Sequence, residues 1–316
     1  MFKVQPVYKD YLWGGNKLKE AYGKESDLEI VAESWELSTH PSGVCEIEIN
    51  GEKKNLAEYI KENGKQVLGS KSPVEDQIPI LIKLIDARDN LSVQVHPDDD
   101  YAKTYENDLG KTEMWYVLEA EEGAQLVYGF KKDLSKEEFK IAIEENTLSD
   151  LLNYVDVHKG DVFFITPGTM HAIGKGIVIA EIQESSNVTY RVYDYGRVGA
   201  DGKQRELHID KALEVTKLQK AEEDNYPYVM EMLEGVSIGT LATCPYFTVK
   251  RISLEKEINI VADTTSFQDL LIVDGSVEIT ENDKVWTGKK GDSFFVPAGT
   301  GNYTIKGQGE LILATL

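Results

Sequence analysis

Short runs in which apolar and polar residues alternate dominate this chain. In Leu91-Ser92-Val93-Gln94-Val95-His96, a strand would put Ser92, Gln94 and His96 on one face and the three aliphatic residues on the other. Cys45 to Ile49, Ile177 to Gln183, Thr189 to Tyr195, Phe247 to Leu254 and Leu270 to Val273 also read as strands, punctuated by Gly, Asp and Pro turns. Helical spacing is confined to short pieces. Leu134 to Glu145 and Leu148 to Tyr154 read as two short helices inserted between strand-rich segments. Ile209 to Leu218 reads as a third, with Asp210 near its start. Many short strands with frequent turns predict a mainly β, antiparallel sandwich or jelly-roll architecture.

One segment is repeated. Gly160-Asp161-Val162-Phe163-Phe164-Ile165-Thr166-Pro167-Gly168-Thr169-Met170-His171 returns as Gly291-Asp292-Ser293-Phe294-Phe295-Val296-Pro297-Ala298-Gly299-Thr300-Gly301-Asn302. Each copy has a Gly-Asp turn, an apolar strand and a Pro/Gly turn, so the architecture is expected to be double. Only the first copy ends in histidine. The acidic stretch Ala221 to Pro227 is the candidate linker. It divides the chain into residues 1–225, carrying a helical insertion near 133–155, and residues 226–316.

Composition then narrows the function. A chain of 316 residues with 41% hydrophobic content can bury a sizeable core. No apolar run approaches the roughly 18 residues of a membrane span, and the first residues lack the apolar stretch of a signal peptide. Two cysteines, Cys45 and Cys244, form no metal-type pair and fit a reducing cytoplasm. A formal net charge of −21 excludes the basic footprint of a nucleic-acid binder. An anionic substrate would therefore need a local positive pocket built from Lys, Arg or a metal ion.

The candidate chemistry lies in the first two-thirds. His96, Glu113 and His171, with the amide oxygen of Gln94, form a set that suits zinc and non-haem iron alike. Lys111 stands two residues before Glu113, hence on the same face of a strand. Strand alternation groups Arg191 with Tyr193 and Tyr195, opposite Tyr190, Val192 and Asp194. Lys83 interrupts the apolar run Ile80 to Ile85, where a lysine is rarely buried without a partner. His40, His158 and His208 are read as ordinary hydrogen-bonding histidines.

The Gly-Asp…Pro-Gly-Thr-x-His frame resembles the second motif of cupins, small β-barrels that often hold a metal. More narrowly, the chain resembles the type I mannose-6-phosphate isomerases in their short bacterial form. The resemblance rests on Trp13-Gly14-Gly15, Leu91 to Asp98, Lys111-Thr112-Glu113, Pro167 to Gly174, Thr189 to Arg197 and Arg205-Glu206-Leu207-His208. It implies a double cupin, two jelly-roll β-barrels, with a metal-binding N-terminal domain and a degenerate, metal-free C-terminal one. It implies one zinc ion per chain, held at Gln94, His96, Glu113 and His171. It makes Arg191 a catalytic residue, sets Lys83 and Ser92 near the substrate, and marks Arg197 as a further basic position; phosphate binding is the expected role of these three. Lys111 and Glu181 are the two candidates for the base. The implied partner is a small-molecule sugar phosphate, and the expected state is a monomer or weak homodimer. An iron oxygenase of the cupin type and a non-enzymatic sugar-binding cupin are the alternative readings.

Overall fold

The computed structural model describes residues 1–199, 202–222 and 228–316, so the expected linker lies outside the described residues beyond Glu222. Two compact units result. One comprises Tyr11–Gly15 and Ile85–Tyr226; the other comprises Met1–Asp10, Asn16–Leu84 and Pro227–Leu316. This grouping differs from a linear division at residue 225, since most of the first 84 residues group with the C-terminal segment.

The unit containing residues 85–226 is built from two sets of antiparallel strands. In the first, Glu113–Ala120 lies between Val162–Ile165 and Ile177–Glu184. Every residue of Ile177–Glu184 is buried, the pattern of a strand covered on both faces. The second is a five-stranded sheet in the order Leu152–Asp156, Gln125–Phe130, His171–Ala172, Val93–Val95, Tyr190–Tyr193. One face of this sheet is apolar. Val93, Val95, Val127, Ala172, Tyr190 and Val192 pack there with Phe139, Leu148 and Ala212 of the helical pieces. The other face carries the polar residues of the same strands, as the alternation requires.

The inserted helix Lys136–Glu144 starts at a capping box between Ser135 and Glu138, which satisfies two backbone donors reciprocally. The second expected helix, Leu148 to Tyr154, is corrected. Only Leu148–Asp150 makes a 3-10 turn, and Leu152–Asp156 is a strand paired with Gln125–Phe130. Its apolar residues are claimed by the sheet edge, a non-local choice that local spacing does not encode. A second correction concerns Tyr193. Arg191 is registered against Gln94, yet Tyr193 is registered against Val93. Two residues on one strand thus advance one on the other, and this bulge turns Tyr193 onto the apolar face, away from Arg191.

In the other unit an eleven-stranded sheet includes Gln268–Glu281, Ser293–Val296 and Gly301–Thr315. Leu270, Ile272, Phe294, Val296, Ile305 and Leu311 form its core. The repeat is visible at the level of single hydrogen bonds. Gly160 and Gly291 both have φ 94°, a left-handed conformation that favours glycine. Asp161 accepts from the backbone N–H of His158, and Asp292 accepts from that of Lys289.

Gly174, in the turn between His171–Ala172 and Ile177–Glu184, is tightly fitted. A Cβ there would lie 1.7 Å from the carbonyl oxygen of Gln125, so backbone must move. Gly174→Ala is expected to lower stability by about 1–3 kcal/mol, the usual cost of overpacking. An unchanged thermal unfolding midpoint would contradict this fit.

Candidate metal centre and active site

Three side chains converge between the two sheets of the unit that holds them. His96 follows Val93–Val95, Glu113 opens Glu113–Ala120, and His171 opens His171–Ala172. His96 Nε2 is 3.4 Å from Glu113 Oε1, His171 Nε2 is 3.8 Å from Glu113 Oε2, and the two Nε2 atoms are 3.1 Å apart. All three residues are at most 1% exposed. The backbone holds them in register: Gly168 N–H donates to the His96 carbonyl at 2.8 Å, which ties the Pro-Gly turn to the histidine strand. His171 Nδ1 lies 2.8 Å from the Thr169 carbonyl. Only a protonated Nδ1 can make that bond, so the Nε2 lone pair faces the cluster, as a metal ligand requires.

Electrostatics agree with this assignment. Burial pushes the His96 pKa down to about 3, and nearby Lys111 pushes in the same direction. Burial likewise lowers that of His171, so both imidazoles are neutral near pH 7. Burial acts to raise the Glu113 pKa, but the Lys111 ammonium beside it outweighs that and holds the carboxyl well below its usual range. Neither Glu113 oxygen has a hydrogen bond among the described residues. Two neutral imidazole nitrogens and a buried carboxylate without hydrogen bonds fit a divalent cation.

The strand register extends the site. Gln94 is paired with both His171 and Arg191, and directly paired residues point to one face. Arg191, Gln94 and His171 therefore form a row across three neighbouring strands. Arg191 Nη1 donates to the Glu206 carbonyl at 2.9 Å, while its buried Nε has no acceptor among the described residues. Lys111 lies just before the strand rather than on it, and its ammonium reaches Glu113 Oε1 at 3.0 Å. Glu181, 4% exposed, accepts from Trp115 Nε1 at 2.9 Å. That indole stands edge-on to the His171 ring, with centroids 5.4 Å apart. Ser92 is buried beside the start of the Gln94 strand.

Two sequence candidates have other engagements. Lys83 belongs to the other unit, where it lies 4.0 Å from Glu33 and over the Trp35 ring. Arg197 donates to Asp194 at 2.5 Å and to the Asn90 carbonyl at 2.6 Å, while Arg205 Nε holds the other Asp194 oxygen at 2.8 Å. Sequence reasoning passed over His208 as an ordinary histidine and did not single out Trp115. The Arg-Glu-Leu-His run was a signal for the first; nothing in local pattern marked the second.

The comparisons with known proteins point the same way. Residues 1–146 match a family model described as phosphomannose isomerase type I, catalytic domain, and residues 237–316 match mannose-6-phosphate isomerase, cupin domain. The chain is 36% identical over 315 residues to the probable mannose-6-phosphate isomerase GmuF of Bacillus subtilis, covering 98% of each. It is 37% identical over 303 residues to the mannose-6-phosphate isomerase of Streptococcus mutans, covering 95% of this chain and 93% of that relative. A crystal structure of mannose 6-phosphate isomerase from Bacillus subtilis matches with a TM-score of 0.92 at 34% identity, over 100% of this chain and 99% of that one. The cupin jelly-roll expectation holds on these grounds.

Glu113→Gln removes the only charge among the three candidate ligands. It is expected to abolish stoichiometric divalent-metal content, read by elemental analysis, while the circular dichroism stays that of a folded β protein. A second expectation concerns pH. The unfolded chain protonates His96 near 6.5, but the folded, metal-free protein resists until about 3. Stability of chelator-treated protein should therefore fall as pH drops from 6.5, because the unfolded state takes the proton first. His96→Gln should show a shallower decline of the unfolding midpoint; equal slopes would refute the buried neutral imidazole.

Proposed function

The chain belongs to the type I mannose-6-phosphate isomerase family, and on that premise we propose that it interconverts mannose 6-phosphate and fructose 6-phosphate. We assign it one zinc ion per chain, held by His96, Glu113 and His171 and completed by Gln94. The observation that carries this reading is the buried His-Glu-His cluster with Arg191 in the same row of residues. Zinc supplies Lewis acidity toward a substrate oxygen without redox chemistry, which favours it over iron in an isomerase.

Moving a proton between C1 and C2 builds negative charge on the sugar oxygens in an enediolate-like state. Arg191 stabilises that charge. Its guanidinium stays protonated, and its Nε–H has no acceptor among the described residues. Glu181 is assigned to proton transfer, since a carboxylate can accept a proton without first losing one. Its bond from Trp115 fixes the carboxyl's orientation. Lys111 is engaged with Glu113 and is assigned to charge balance and donation toward the sugar oxygens. Ser92 is assigned to the substrate on the family resemblance, and Lys83 to the phosphate on the same ground. Arg197, already bonded to Asp194 and Asn90, supports the loop after the arginine strand in place of the phosphate role first expected. The surroundings proposed are a cytoplasm and a monomer or weak homodimer, with residues 226–316 metal-free and structural.

Turnover of mannose 6-phosphate should vanish with chelator and return with zinc. Arg191→Ala should keep its fold and zinc content but lose about 100-fold or more in kcat, the scale of removing one fixed donor to developing charge. Wild type inactive with zinc would overturn the reaction; full activity in Arg191→Ala would overturn the arginine's role.

A further inference from the structure

Arg191 is held at three points by one short segment. The backbone N–H of Arg191 donates to His208 Nδ1 at 3.2 Å, and the backbone N–H of His208 donates to the Arg191 carbonyl at 2.8 Å. The Glu206 carbonyl, two residues earlier, receives Arg191 Nη1 at 2.9 Å. His208 thus grips both backbone groups of Arg191, while its neighbour turns the guanidinium.

The segment is itself anchored. His208 immediately precedes the helix Ile209–Val215. From that helix Lys211 reaches Glu106 at 2.6 Å, and the same Glu106 oxygen accepts the Tyr190 hydroxyl at 2.7 Å. Tyr190 is the residue before Arg191, so the strand and the helix are fastened to one carboxylate on either side of the arginine. The strand needs this help. Arg191 lies at the sheet's edge, and the bulge after it interrupts the ladder to Val93–Val95. An edge residue next to a bulge has few backbone bonds to fix it, and those His208 supplies take their place.

We propose that His208 is the positioning residue of Arg191, setting through its imidazole Nδ1 where the guanidinium sits relative to Gln94 and His171. This rests on the catalytic reading of Arg191 given above. The role requires a neutral imidazole with its lone pair on Nδ1, since a protonated nitrogen cannot accept the Arg191 N–H. Burial and the nearby arginine favour the neutral form. Misplacing a catalytic group by about 1 Å can cost up to about 100-fold in rate, so the effect should appear in kcat.

The test compares His208→Ala and His208→Asn by kcat and KM for mannose 6-phosphate, zinc content and thermal midpoint. Asparagine can offer its side-chain oxygen where Nδ1 stood; alanine cannot. His208→Ala should lose about 10-fold or more in kcat with KM changed less than about threefold and zinc retained. His208→Asn should recover most of that loss. In an Arg191→Lys background, which lacks the guanidinium fork to Glu206, the His208→Ala penalty should shrink, as expected of coupled residues. Equal penalties in both backgrounds, or a His208→Asn variant as slow as His208→Ala while folded and zinc-loaded, would overturn the proposal. Should His208→Ala fail to fold, His208→Asn and His208→Gln decide it: both as slow as Arg191→Ala would also overturn it. Failure of the catalytic reading would show separately, as an active Arg191→Ala single variant.

Discussion

A carboxylate at 1% exposure with no hydrogen bond to either oxygen is costly unless positive charge stands beside it, and Glu113 is such a group among the described residues. Lys111, 3.0 Å away, is one fixed source of that charge. The two imidazoles do not add to it, because burial keeps both neutral. Without a cation the cluster is therefore close to electrically balanced. A bound dication would leave it strongly positive, with Arg191 adding one more charge in the same row. A protein of net charge −21 would thus obtain a local positive region, of the kind an anionic substrate needs, without making its surface basic.

That balance depends on register more than on residue type. Gln94 sits between His171 and Arg191 because three strands align at one level. A slip by one residue would send all three side chains to the apolar face occupied by Val93, Val95 and Val127. The bulge after Arg191 uses the same rule in reverse. It keeps Arg191 on the polar face, while Val192 and Tyr193 both serve the outer core. One inserted residue thus separates the polar side of the strand, which carries Arg191, from its packing side.

Much of this was legible in the chain. The alternation from Leu91 to His96 correctly put Gln94 and His96 on one face, and the repeated Gly-Asp turn is present in both copies, where the structure adds that its glycine is left-handed. What was not legible depended on partners distant in sequence. Leu148 to Tyr154 has helical spacing, yet its second half pairs with Gln125–Phe130. Tyr193 changes face through a bulge that no alternation rule contains. His208 looks ordinary by itself and becomes notable only once Arg191, 17 positions away, is seen to bond to it.

The repeat also explains why one copy of the frame differs chemically from the other. Val162–Ile165 pairs with Glu113 to Tyr116, and Ser293–Val296 pairs with Gln268 to Leu271, in the same antiparallel sense. Matching Ile165 to Val296 sets Gln268 where Glu113 stands and Leu270 where Trp115 stands. On the far side of that strand, Leu313 is paired with Leu270 as Glu181 is paired with Trp115. The Gln268 amide has its own partners: its oxygen accepts the Tyr303 hydroxyl at 2.6 Å, and its nitrogen donates to the Val261 carbonyl at 3.0 Å. A neutral, satisfied amide needs no compensating charge, whereas the Glu113 carboxylate has no hydrogen bond at either oxygen among the described residues. The second copy of the strand frame thus carries an internally bonded amide where the first has a buried carboxylate, and a leucine where the first has Glu181, so its packing does not require a compensating charge at that position.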